Sequence, residues 1–435
     1  MRLALAAALV VGVLPTDPRP APDDIDRRAG QVEAQVIAWR RDIHQHPELG
    51  NREFRTSALV AAHLKALGLE VRTGVGHTGV IGILHGGKPG RVVALRADMD
   101  ALPVTEPAGL AFASTERAQY NGQDVGVMHA CGHDTHTAML MGVAQVLSGM
   151  KASLPGTVVF IFQPAEEGAP EGEMGGANLM LKEGAFDGPT PNVVFGLHVT
   201  PGPLGAIFYR AGATMASSDK IKITVHGKQT HGGMPWGGVD PIVASAAIIT
   251  GLQTIVSRET DLTNGAAVVS IGSIQGGVRN NIIPDSVVML GTIRTFDSTA
   301  RRQTRERVQH LAESVAASEG ATAVVQIDSQ YPVLVNNPAL VARMLPSLRR
   351  TVGDANVIEG KPVTGSEDFS YYANRVPGFF FFLGVTPPDQ DWHTAPKNHS
   401  PLFFADERAL VVGVRALSHE AVDYLNGPAE LAARD

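Results

Sequence analysis

Cysteine is almost absent from this chain of 435 residues, with Cys131 the single example. One cysteine excludes an intramolecular disulfide and leaves the fold to a hydrophobic core, which 44% apolar residues can build over two or three domains. Basic excess is missing too. With 36 Lys and Arg against 43 Asp and Glu, the chain has no electrostatic footprint for a phosphate backbone, so no nucleic acid partner is expected. The apolar run at the start, Leu3 to Leu14, is too short to span a bilayer. It matches the apolar region of a secretory signal and is followed by a Pro-rich polar stretch. The expectation is a signal peptide over residues 1–22, cleaved near Ala21, a periplasmic or secreted product, and no stable membrane insertion after processing. Long repeats and low-complexity tracts are also lacking.

What is present is an alternation of short apolar strands and amphipathic helices, the pattern of an α/β layer fold. Residues 24–67 repeat apolar positions at spacings of three and four, break at Pro47 and close at Gly68, which predicts two helices joined by a turn carrying His44 and His46. The runs "GVIGILHG", "RVVALRADMDALPV", "GTVVFIFQPAEEG" and "NVVFGLHV" read as buried strands, with a helix from about Thr135 to Met150 between them. Residues 219–331 change character and read βαββαβ, a small antiparallel sheet covered by two helices and inserted into the larger unit. After Pro338 come a helix, the strand "GFFFFLGV", a His-bearing loop and a last helix. The four phenylalanines Phe379 to Phe382 read as a strand buried on both faces, with no ligand surface.

Open α/β sheets bind ligands at the carboxyl ends of their strands, and that is where the chemically capable residues fall. Glu166 and Glu167 follow one apolar run, His198 ends another, and Asp98 and Asp100 end a third. His399 lies in the loop before the last helix, and "HACGHDTH" at 129–136 holds the lone cysteine among three histidines and an aspartate. Each has an ordinary alternative: a solvated turn, a core histidine, a capping acid. Several separate segments presenting Cys, His or carboxylate at strand ends are more specific than any one. Of two adjacent carboxylates, one can be held anionic by a cation while the other titrates, which is what general acid and base chemistry needs. Asp98 and Asp100 can orient ligating imidazoles from behind.

In order and spacing, "RRDIHQHPELG", "RADMDALP", "MHACGHDTHTAML", "FQPAEEG", "FGLHV", "RNNIIPD", "GSEDF" and "NHSP" resemble the peptidase M20 family of metallo-amidohydrolases, among them hippurate hydrolases, N-acyl-amino-acid amidohydrolases and plant auxin-conjugate hydrolases. The resemblance covers about residues 27–427. It implies a zinc-peptidase-like α/β catalytic domain with a mixed central sheet, residues 23–213 and 332–427. A ferredoxin-like lid and dimerisation domain, 214–331, would interrupt it. The metal ligands it implies are Cys131, His133, Glu167, His198 and His399, holding two divalent ions drawn from Mn²⁺, Zn²⁺, Co²⁺ or Ni²⁺. Glu166 becomes the general base and Asp100 a supporting acid. His231 becomes a lid histidine that polarises the scissile carbonyl in the partner subunit of a homodimer. Asn280 and Arg294 become substrate contacts, Arg294 for a carboxylate. Asp134 and His136 become supporting groups and His129 a structural one.

The implied reaction is hydrolysis of an N-acyl amino acid to a carboxylate and a free amino acid. Competing readings are a carboxypeptidase or dipeptidase acting on short peptides, and a non-catalytic periplasmic binding protein. Trp236, in the loop "MPWGGVD", hints at an apolar or aromatic acyl group.

Overall fold

Strands apolar on both faces need cover on both faces, and the computed structural model, which describes residues 23–428 apart from 262 and 264, provides it. The expected signal peptide, 1–22, lies outside the described residues. An eight-stranded mixed sheet runs in the order 70–75, 79–85, 155–163, 88–98, 193–203, 378–386, 207–209 and 357–359. Its four central strands, from 155–163 to 378–386, are parallel. Along Pro155–Gln163 the side chains divide between two cores. Val158, Phe160 and Phe162 pack under the helices Asp24–Gln45, His133–Ser148 and Leu410–Asn426, while Val159 and Ile161 face the opposite side with Met180 and Tyr372. Each fully buried Val, Ile or Phe contributes roughly 1.5–3 kcal/mol, so these strands anchor the sheet.

Residues 219–329 form a separate antiparallel sheet in the order 267–275, 286–295, 219–226, 322–329. Its central strand pairs in register with both neighbours, Asp219 opposite Ile293 on one side and Ser329 on the other. Two helices, Pro241–Thr254 and Ser298–Ser318, cover one face around Ile223, Ile248, Met289 and Ala312. Both start at aspartate caps: Asp240 accepts from Ile242 and Val243 N–H, and Asp297 from Ala300 N–H. This is the βαββαβ order read from the sequence. Where it meets the larger unit, Ser217 N–H donates to Thr295 O, Ser218 N–H to Tyr331 O, and Arg301 pairs with buried Asp219 at 2.8 and 2.9 Å.

Three local readings change. The central helix starts at His133, two residues early, because Gly132 turns the chain at φ 91°. His44 lies in the last helical turn of Asp24–Gln45 and is buried, whereas His46 caps that helix. The phenylalanine strand is not wholly sealed: Phe379, Phe380 and Phe381 are fully buried, but Phe382 is half-buried beside His198 and faces a cavity. It sits at the middle of its strand on the face of Phe380, opposite the helix-covered Phe379, Phe381 and Leu383.

Candidate active site

The turn at "HACGHD" depends on Gly132. Its φ is left-handed, and a Cβ there would lie 2.5 Å from Val199 Cγ2, so no side chain fits between this turn and the neighbouring strand. The result sets Cys131 and His198 side by side, Sγ to Nε2 3.3 Å. His198 Nδ1–H donates to Val199 O at 2.6 Å, which leaves Nε2 as the free lone pair. The loop bearing His399 docks on the same turn: Asn398 Nδ2 donates to Cys131 O and Val199 O, and His399 N–H to Ala130 O. His399 Nε2 then stands 2.9 Å from Glu167 Oε1. Three of the resulting donor groups are Cys131, His133 and His198; Cys131, Glu167 and His399; and His133, Glu166 and Glu167, each with its atoms within 4.8 Å. The five residues the resemblance implied as ligands are thus brought together.

Their supports are buried. Asp100 lies 3.2 Å from His133 Nδ1 and accepts Glu167 N–H at 2.9 Å, so one carboxylate orients two of the donors. His133 Nε2 is buried with no hydrogen-bond partner among the described residues and lies 4.0 Å from Glu166 Oε2. His136 is excluded as a ligand: Nδ1 is spent on Asp98 at 2.6 Å and Nε2 accepts Val199 N–H at 2.9 Å, which also fixes it as the neutral tautomer. Asp134 turns away from the cluster, to Arg40 and His44, both at 2.9 Å. His129 is buried with neither ring nitrogen bonded among the described residues, and burial pushes its pKa down to about 3.

Charge balance favours cations. Arg96, wholly buried, pairs with Asp98 at 2.6 Å, Asp368 at 2.9 Å and Glu367 at 3.0 Å, and its field also reaches Glu166. One guanidinium does not neutralise four acids, so the group takes up protons, on His133 as well as on the acids, or metal. Burial raises Glu367 to about 8 and Asp368 to about 6. Burial, then Glu367 and Glu167, hold Glu166 well above the usual carboxylate range. Burial and the two glutamates likewise push the Cys131 thiol up, so a thiolate forms here only against a positive charge. Thiolate, imidazole and carboxylate donors, an orphaned imidazole nitrogen and surplus negative charge fit a pair of divalent ions.

Glu53 and Tyr331 went unread in the sequence, as did the role of Arg96. Glu53 is fully buried and accepts Ala165 N–H at 2.9 Å and the Thr78 hydroxyl at 2.5 Å. It thereby holds the turn from which Glu166 and Glu167 project. Tyr331, on the chain leaving the small sheet, donates to Glu166 O. Arg96 belongs to "RADMDALP" and Glu367 and Asp368 to "GSEDF", but only the folded chain reveals their pairing.

The cluster opens on a cavity of about 1100 Å³ shared by the two sheets. Arg294 and Lys220 reach it from the small sheet, and Arg294 donates to Ser366 Oγ at 2.8 Å. His231 and Asn280 do not line it; both are exposed, and His231 Nδ1 accepts Gly233 N–H. Trp236 does not line it either and is 81% exposed, so the acyl preference drawn from it has no support in this cavity.

A buried carboxyl beside thiolate, imidazole and carboxylate donors for divalent ions is the equipment of metal-dependent amide-bond hydrolases, and fold and donor set put the chain in that class. Comparison supplies the family. Residues 94–421 match the model of Peptidase family M20/M25/M40, and the chain belongs to that family. It is 41% identical to Thermostable carboxypeptidase 2 of Saccharolobus solfataricus, over 91% of this chain and 97% of that one. It is 39% identical to N-acetyl-L-cysteine deacetylase of Bacillus subtilis, over 87% and 86%. Among solved structures, the YXEP protein of Bacillus subtilis, a dinuclear metal binding peptidase, superposes with a TM-score of 0.75 at 35% identity, covering 91% of this chain and 99% of that chain.

Proposed function

We propose that this chain hydrolyses N-acyl amino acids to a carboxylic acid and a free amino acid, with two divalent ions held by Cys131, His133, Glu167, His198 and His399. The position of Glu166 carries the reading: a buried carboxyl, Oε2 4.0 Å from His133 Nε2, on a cavity that Arg294 and Lys220 also line. When bound, the ions supply Lewis acidity towards the amide carbonyl and make water acidic enough to deprotonate near neutral pH. The donor set suits Zn²⁺, Co²⁺ or Ni²⁺ through its thiolate, and Mn²⁺ through its carboxylate and imidazoles.

Glu166 takes the proton of the attacking water and returns it to the leaving nitrogen, a task that suits a carboxyl whose affinity for protons is raised. Asp100 keeps His133 and Glu167 in place meanwhile. Arg294 offers a guanidinium to the carboxylate of the amino acid. His231 and Asn280 complete the site of a second copy, with residues 214–331 acting as lid and pairing surface. In support, Ile242, Val243, Ile274, Val278 and Ile282 are exposed on this small domain, apolar side chains that a second copy would cover. Export through residues 1–22 belongs to the same proposal, and sequencing the N-terminus of the secreted chain tests it.

The carboxypeptidase relative favours a second reading, removal of the last residue of a short peptide. The metal-loaded chain incubated with N-acetyl and N-benzoyl amino acids and with dipeptides separates them. Faster cleavage of the acyl amino acids supports the proposal, faster cleavage of dipeptides replaces it, and ligand binding without any cleavage leaves a binding protein.

A further inference from the structure

The cavity has two chemically different sides, and the second has no role so far. On the Glu166 side stand Tyr331, whose hydroxyl meets Glu166 O, and Arg294 against Ser366. On the His198 side three aromatic rings line it, and the cations Arg210 and Lys361 also belong to the cavity lining. The Phe382 ring lies 6.2 Å from that of His198, and Phe208 and Trp392 are a tilted pair 6.3 Å apart at 46°, all three half-buried and all lining the cavity. They come from three separate places: a central strand, the short strand beside it, and the loop that also carries His399. Phe208 keeps its place through a glycine, since a Cβ on Gly202 would stand 2.7 Å from Phe208 Cε2. Trp392 is backed by His393, ring centroids 3.6 Å apart, and its carbonyl accepts from Lys397 Nζ.

The direction of the substrate follows from the proton. The leaving nitrogen must lie towards Glu166 to receive it, which puts the amino acid and its carboxylate on the Arg294 side. The acyl group then extends to the other side of the donor cluster. We infer that Phe208, Phe382 and Trp392 form the acyl subsite and select a planar aromatic acyl group over a small one such as acetyl. Rings at these angles offer edge and face contacts to a third ring. This rests on the reading of the chain as an N-acyl amino acid hydrolase.

The test compares kcat/KM for the N-benzoyl and N-acetyl derivatives of one amino acid. The metal-loaded wild type is expected to favour benzoyl. Trp392→Ala and Phe208→Ala should each lower the benzoyl-to-acetyl ratio by about tenfold or more, as loss of a good apolar contact does. Gly202→Ala, which displaces the Phe208 ring, should lower it as well. A ratio unchanged in both alanine variants, or a change in preference for the amino-acid side chain instead, overturns the subsite. Calorimetry supplies a readout without turnover: benzoate should bind metal-loaded Glu166→Gln more tightly than acetate, and adding Trp392→Ala should remove the difference. If the wild type cleaves no acyl amino acid but benzoate still binds through Trp392, the proposed reaction falls and the subsite stands. If it cleaves them with no contribution from the aromatic wall, the reverse holds.

Discussion

Ala165 has a Cβ and yet adopts φ 50°, the left-handed region that costs a residue of its kind about 1–2 kcal/mol. The strain is held by acceptors on either side: Glu53 takes the N–H of Ala165, and Asp100 the N–H of Glu167. The turn between them aims Glu166 and Glu167 in their different directions. Glu53→Ala leaves a buried N–H without an acceptor, at about 1–3 kcal/mol, and frees the turn. The expected outcome is a fall in kcat of tenfold or more with KM little changed, while Glu53→Gln, which keeps an amide oxygen for Ala165, restores most of it. Steady-state kinetics on the two variants check this; equal losses in both contradict it. The contrast also marks what was readable at this scale. Cys131 and His133 at the start of a helix and Glu167 just past a strand declare themselves by residue type. Glu53 is one acid in a polar loop, and its partner lies 112 residues away. His136 had the right type for a ligand, and only the fold shows both its ring nitrogens taken, by Asp98 and by the N–H of Val199.

At the scale of elements, the helix His133–Ser148 starts where it does because nothing larger than hydrogen fits at Gly132. Gly132→Ala forces a Cβ against Val199 in a left-handed backbone, so the Cys131 and His133 donors should separate. Metal analysis after dialysis is expected to show at least one divalent ion lost per chain, a result that retention of both ions would contradict. The last helix, Leu410–Asn426, holds a different tension. Glu420 is fully buried with neither carboxyl oxygen hydrogen-bonded among the described residues, and burial, with the charge of Asp423 adding, raises it well above the usual carboxylate range. The folded state therefore binds a proton that the unfolded chain releases near its ordinary value of 4.5. Its stabilising contribution is fully present below that pH and declines as pH rises towards the folded value, by about 1.4 kcal/mol per unit. Glu420→Gln removes the titration, so its stability relative to wild type should grow between pH 5 and pH 7 in denaturant melts. A difference that stays flat with pH contradicts the assignment.

For the whole molecule, the alternation of strands and helices and the βαββαβ insertion were legible because they rest on hydrophobic period and turn residues, which are local. The cavity was not, because it is made where two sheets face each other and its lining comes from many separate segments. Trp236 and Trp392 both sit in loops rich in turn residues, and only the folded chain tells which one meets the cavity. The proposed pairing of two copies makes its own prediction. Glu166→Gln and His231→Ala should each be inactive alone, yet mixing and reassembling them should restore activity, because a mixed dimer holds one site with both groups. No recovery on mixing contradicts the assignment of His231 to the partner's site. The most direct test of the central claim joins metal content to turnover in one variant. Glu166→Gln purified with added Mn²⁺ or Zn²⁺ should retain two divalent ions per chain, as the wild type does, while hydrolysis of N-benzoyl amino acids falls by about 10²–10⁴-fold. A variant that keeps its activity, or a wild type that hydrolyses the amide with no metal bound, would contradict it.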